Sequence, residues 1–279
     1  MKSARRSTCS PTRVSSARRN ISPAASADPA GIDAMTNQLG SPHIVSSYEQ
    51  DLQQLSDMIT RMGGMVENQL ALAVTSIINK DMDAANRAID VDPAIDALET
   101  EIQQFIVRLL ALRQPVAIDL RMVLSSLKIT SDLERIGDYS KNVAKRGIVL
   151  NQFSLPFSLT GLAHMGQLVQ QNMKTIIDAV GENDTSRAEE VWRSDTAIDD
   201  MYNAIFRELI TYMMEDPRDI TPCTHLLFIA KNLERIGDHA TNIAETVFYT
   251  VSGHSLPDER PKSDNTSYMV ARPSPDVTS

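Results

Sequence analysis

Two stretches a hundred positions apart, DLERIGDYSKN at 132–142 and NLERIGDHATN at 232–242, repeat Leu-Glu-Arg-Ile-Gly-Asp unchanged. Each sets two carboxylates four residues apart, Glu134 with Asp138 and Glu234 with Asp238. On a helix, at roughly 100° per residue, the members of such a pair stand about 40° apart, one turn above the other. Ile129, Leu133, Ile136 and Val143 gather on nearly the opposite side, as do Ile229, Leu233, Ile236 and Ile243 in the second copy. The carboxylates are therefore expected to point away from the core of their own helix. Two more pairs with the same spacing, Asp92 with Asp96 and Asp195 with Asp199, open the helix that precedes each motif.

If the two helices of each half are antiparallel neighbours, four carboxylates meet on one exposed face. Like charges held that way raise one another's pKa unless a cation neutralises them. Carboxylate oxygens are hard ligands, so the pattern points to divalent or ferric ions (Fe, Mn, Mg or Ca) in preference to copper or thiolate-bound zinc. Asn142 and Asn242, one turn further along, offer amide oxygens to the same face. A single surface pair of this kind is ordinarily just solvated; its repetition carries the metal reading. Gly137 and Gly237 each cost about 1 kcal/mol against alanine inside a helix. The same cost at the same place twice implies a close neighbour there, or room for an ion.

Other chemistry finds little support. Arg135 and Arg235 fit i, i+3 pairs with the motif aspartates, or contact with an acidic partner. His239 has Tyr139 at its counterpart position, which suits packing better than ligation, and Trp192 with Met213 and Met214 reads as core or inter-helix packing. The Glu-x-x-His spacing of di-iron bundles is missing, as are a P-loop, a nucleophile elbow and a dinucleotide fingerprint. No catalytic residue is assigned. The alternative kept open is a metal-dependent phosphoryl-transfer or oxygen-handling enzyme using the clusters as Lewis acids.

The elements that must position these groups follow from apolar spacing. Leu52, Leu55, Ile59, Met62, Val66, Leu70, Val74 and Ile77 mark a long helix over 45–80, its apolar pattern interrupted only by Gly63-Gly64. A short helix is expected over 82–89. A third opens with Asp92 as N-cap and Pro93 at the first helical position, and a long motif helix covers 119–149. The second half repeats the plan: 159–180, a short helix in NDTSRAEEVWRS, a third from Asp195, and a motif helix over 221–251. The expected fold is all-α, two tandem three-helix bundles over 42–150 and 151–250, with disordered tails at 1–41 and 251–279.

Composition agrees. The chain of 279 residues is 42% hydrophobic but only 5% aromatic, with 11 glycines, which favours helix over strand. Its formal charge is −9, although residues 1–34 carry six basic against two acidic groups, so the rest is more acidic still. Such a body argues against nucleic acid as a partner and suits cations. Cys9 and Cys223 form no metal or redox spacing, which fits a reducing, cytoplasmic setting. No apolar run reaches the roughly 18 residues of a membrane span. The Arg, Ser and Pro-rich first segment lacks a secretory apolar core, and a natural start near Met35 is expected.

Taken together, LERIGD followed by NVAK or NIAE in each half, the D-x-x-x-D pairs at 92 and 195, and the opening HIVSSYEQDLQQL resemble the PhoU family over about residues 42–250. The resemblance implies two three-helix bundles, surface metal clusters on Asp92, Asp96, Glu134, Asp138, Asp195, Asp199, Glu234 and Asp238, and a homodimer. It implies negative regulation of phosphate uptake and starvation signalling, through a phosphate-sensing histidine kinase and the ATPase subunit of the phosphate ABC transporter. Membrane contact would come only through those partners.

Overall fold

The structure is a computed structural model and describes residues 42–155 and 158–256, with side chains from Ser47 onward. Among the described residues seven α-helices follow one another: α1 (Pro42–Ile78), α2 (Met82–Asp90), α3 (Asp92–Arg113), α4 (Ala117–Leu150), α5 (Thr160–Glu182), α6 (Thr185–Glu215) and α7 (Ile220–Ser252). A 3-10 turn at Pro217–Asp219 leads into α7, and no strand occurs among the described residues. The all-α expectation holds. The tails expected at 1–41 and beyond 256 lie outside the described residues. Residues 251–256, also expected in the tail, are described, and Leu256 is buried.

Three local features bear on the expectations. First, α1 runs unbroken through Gly63-Gly64, where only the apolar pattern is interrupted. Second, the short and third helices of the second half are one continuous α6, whereas their counterparts α2 and α3 are separated at Val91. Pro93 explains the difference, because it has no N–H for the carbonyl four residues back and its ring crowds that oxygen; the second half has Thr196 there. Since α2 and α3 together match α6, the described residues build six rods. Third, Asp92 is not the N-cap of α3. Val91 holds that position, and Asp92 turns its side chain to other partners.

The N-caps repeat with the rest of the plan. Asp81 accepts from the backbone N–H of Ala84 at 2.9 Å, and Asp184, 103 positions on, accepts from that of Ser186 at 2.8 Å.

One buried apolar cluster extends from Leu55 to Leu256 through both halves, so the repeats share a seam. A Cβ on Gly63 of α1 would stand 2.5 Å from Ile177 Cδ1 of α5, and one on Gly166 of α5 would stand 2.8 Å from Val74 Cγ1 of α1. Gly63 and Gly166 are counterparts, as are Val74 and Ile177, so one contact is made twice. Where α4 meets α7, Tyr139 faces His239, its own counterpart, with ring centroids 5.6 Å apart. Equivalent residues that touch each other mark a local twofold relation between the repeats.

Candidate functional site

In the first repeat the line where α3 meets α4 passes over Gly137. A Cβ there would lie 3.1 Å from Gln69 Oε1 and 3.6 Å from Ile95 Cδ1, so the missing side chain lets α1 and α3 come close. The same approach buries Asp92, which is 5% exposed. Lys141 Nζ donates to Asp92 Oδ2 at 2.6 Å and to Asp138 Oδ1 at 2.8 Å, so one ammonium bridges α3 and α4. Gln69 Nε2 donates to the carbonyl of Ala88 at 3.0 Å and to Asp92 Oδ1 at 3.4 Å. Its Oε1, fully buried, has no hydrogen-bond partner. Asp96 is exposed and Glu134 half-buried.

The electrostatics follow this arrangement. Burial and the charge of Asp138 push the Glu134 carboxyl up to about 7, against a smaller pull from Arg135, whose guanidinium lies 3.5 Å away. Burial would also raise Asp138, but its hydrogen bond to Lys141 and that ammonium's charge hold it below the usual range. Burial and the Asp92 charge raise Asp96, and burial with the Asp96 charge raises Glu99. Glu99, one turn beyond Asp96 on α3, thus belongs to the same field.

In the second repeat Gly237 plays the part of Gly137, and a Cβ there would stand 2.8 Å from Ile198 Cδ1 of α6. The acidic groups are more deeply covered: Asp195 and Asp199 are 2% exposed and Glu234 is 5% exposed. Thr241 Oγ1 donates to Asp195 Oδ1 at 3.1 Å, and Lys231 Nζ donates to Glu234 Oε1 at 2.9 Å. Glu234 Oε2 is buried without a hydrogen-bond partner. Burial pushes the Glu234 carboxyl up to about 7; Lys231 opposes this, and the charges of Asp238 and Asp199 reinforce it.

The helices thus bring Asp92, Glu134 and Asp138 into one field, with Asp96 at its edge, and Asp195, Asp199, Glu234 and Asp238 into another. The expected open face is corrected. Asp92, Asp195, Asp199 and Glu234 are buried, because the motif glycines let α3 and α6 pack over the line on which the carboxylates stand. Among the described residues, no three His, Cys, Asp or Glu side chains converge as a metal-holding group; Lys141 lies between Asp92 and Asp138 instead, and Lys231 against Glu234. Asn142 is exposed and Asn242 half-buried.

His239 pairs across the α4–α7 seam, with its Nδ1 2.8 Å from Asp132 Oδ1. Arg235 lies over the Tyr139 ring, 5.6 Å from its centroid, and Arg135 lies 3.7 Å from Asp138. Trp192 is buried, but Met214 is 64% exposed and not core. Sequence reasoning missed Gln69, Lys141 and Lys231. Gln69 interrupts the apolar stripe of α1 between Val66 and Leu70, a visible signal, and Asn172 interrupts α5 at the counterpart position. The lysines lie three residues outside the motif pairs, where a charge ordinarily reads as solvated.

The PhoU domain family matches the chain twice, over residues 59–147 and 162–247. The chain belongs to the PhoU family. Each PhoU match encloses one acidic cluster, so the duplicated motif and the duplicated domain coincide. The chain is similar to the phosphate-specific transport system accessory protein PhoU homolog of Caulobacter vibrioides, 48% identical over 223 residues, covering 80% of this chain and 97% of that protein. Among solved structures it is similar to PhoU from Pseudomonas aeruginosa, with TM-score 0.73 and 39% identity, covering 74% of this chain and 100% of that one. The phosphate transport system regulatory protein PhoU from Streptococcus pneumoniae matches with TM-score 0.69 and 30% identity, over 75% and 99% of the two chains.

Proposed function

We propose that this PhoU-family chain is an accessory and regulatory protein of phosphate transport, working as a cytoplasmic, metal-binding adaptor and not as an enzyme. It binds hard divalent or ferric ions at its two acidic clusters. It restrains phosphate uptake and starvation signalling through a phosphate-sensing histidine kinase and the ATPase of the phosphate ABC transporter. The relatives support the transport role, since they are accessory and regulatory proteins of phosphate transport.

The metal reading rests on one observation above the others. Each cluster holds a buried oxygen with no hydrogen-bond partner, Gln69 Oε1 in the first and Glu234 Oε2 in the second, beside carboxylates that crowd one another. Buried acceptors left this way are costly. The donor set is all oxygen, which fits Fe, Mn, Mg or Ca. Asp92, Asp96, Glu134 and Asp138 would hold an ion in the first repeat, and Asp195, Asp199, Glu234 and Asp238 in the second. Bound ions would supply positive charge that ties each motif helix to its neighbour.

An adaptor also needs surface for partners. Leu112, Val116, Ile118 and Leu124 are 72%, 75%, 64% and 52% exposed around the α3–α4 turn; apolar exposure on this scale suits protein contact. A homodimer is part of the same reading.

Metal analysis of the purified chain beside a variant with Glu134, Asp138, Glu234 and Asp238 all changed to Ala tests the ligands. The variant loses bound metal and keeps its helical circular dichroism; loss of helix would make the carboxylates structural instead. In cells, deletion leads to alkaline phosphatase expressed in high phosphate. Phosphatase turnover by the purified protein would overturn the adaptor reading.

A further inference from the structure

Each acidic cluster contains a lysine, yet the two come from opposite ends of the motif. Lys141 stands three residues after Asp138, and its counterpart is Thr241; Lys231 stands three residues before Glu234, and its counterpart is Ser131. What is repeated is therefore the positive charge and not the position that delivers it. We propose that Lys141 and Lys231 are tethered counter-cations, which hold the clusters together and which a metal ion must displace to enter. This rests on the reading that the clusters bind hard metals.

The geometry gives Lys141 the place of a bridging ion. Its ammonium lies 2.6 Å from an α3 carboxylate and 2.8 Å from an α4 carboxylate. Lys231 sits 2.9 Å from Glu234 Oε1 and 4.8 Å from the centroid of the Tyr202 ring, an aromatic face on which a cation can rest. A lysine head is a compact charge on a flexible four-carbon stem. With side chains 21% and 30% exposed, both lysines have a way out to water. Gln69 Oε1 and Glu234 Oε2 are oxygens that the ammonium groups leave unbonded in their present places, and an incoming ion would find them ready. Metal binding then becomes an exchange of one cation for another, and the lysines set how much free metal is needed.

The test uses the full chain and Mn2+ as the probe, with binding read by the electron paramagnetic resonance of free Mn2+. Lys141→Gln and Lys231→Gln each keep a donor but remove the charge, and each is expected to tighten one class of site about tenfold or more. Lys141→Arg and Lys231→Arg keep the charge and stay near the starting affinity. A second readout is thermal stability. With chelator present K141Q melts below the parent protein, and Mn2+ raises its Tm by more than it raises the parent's. Unchanged or weaker Mn2+ binding by folded K141Q and K231Q overturns the proposal while leaving the metal reading intact. A parent chain that binds no more Mn2+ than the quadruple carboxylate variant defeats the metal reading itself, and this proposal with it.

Discussion

Thr241 Oγ1 bonds Asp195 Oδ1 at 3.1 Å in the place where, one repeat earlier, Lys141 Nζ meets Asp92 Oδ2 at 2.6 Å. A neutral hydroxyl and an ammonium thus perform the same tether between a motif helix and its neighbour. The two clusters share a skeleton but not a charge distribution. The second is also deeper, with Asp199 buried where Asp96 is exposed. Under the proposed metal binding, the two clusters are expected to differ in affinity.

The contact between Gly237 and Ile198 sets how near α6 can come to α7. Gly237→Ala gains about 1 kcal/mol of helix propensity but forces a methyl against Ile198 Cδ1, and overpacking of this kind costs about 1–3 kcal/mol. A net loss of about 1 kcal/mol is expected. Adding Ile198→Val removes the opposing methyl and recovers part of it. Urea denaturation of the single and double variants reads the coupling, and simple additivity would contradict the close approach.

Glu134 and Glu234 give a pH dependence of definite sign. Both carboxyls are raised from an ordinary value of 4.5 to about 7 in the fold, so between those limits the folded chain binds more protons than the unfolded one. Stability is then favoured below pH 4.5 by these groups and lost as pH rises through about 7. In chelator, the difference in Tm between pH 5.5 and pH 8 shrinks on Glu234→Gln. A variant that tracks the parent across this window would show that Glu234 is not held protonated.

His239 and Asp132 bind α7 to α4. His239→Leu removes the partner of a buried carboxylate and is expected to lower stability by about 1–2 kcal/mol. Bound metal, measured by elemental analysis, stays at the level of the parent. Loss of metal in a folded H239L protein would make the histidine a ligand.

Cys223 is fully buried, and that burial, with the nearby Asp219 charge, pushes its thiol up to about 11. At neutral pH it is therefore protonated and enclosed. Iodoacetamide is expected to leave the peptide carrying Cys223 unlabelled in the native protein and to label it fully in guanidinium, as read by mass spectrometry. Rapid native labelling would place the α7 start in exchange with an open form.

The helices were legible because their apolar residues recur at helical spacing, and the family because LERIGD recurs at an interval of one hundred. The wheel drawn from Glu134 correctly separated the carboxylates from Ile136 and Val143. It described one helix alone, however, so it showed the carboxylates in the open. Their burial depends on a neighbour that approaches because Gly137 and Gly237 lack side chains, and that is information about pairs of helices. Pro93 marks a helix start in the sequence, and α3 begins there. That Thr196 lets the second repeat run straight through the same place was equally visible in the residue change. Lys141 and Lys231 escape a reading of the sequence because no shared motif position flags them; only the folded packing of the helices carries an ammonium from three residues away onto the cluster.

The paired contacts of Gly63 with Ile177 and of Gly166 with Val74 fit an origin in which two separate short chains met face to face before being fused. Each half offers both the notch and the knob. A chain carrying a single copy would leave one of each unfilled and would complete itself with a twin, so severing the link near residue 155 is expected to turn one molecule into two that still recognise each other.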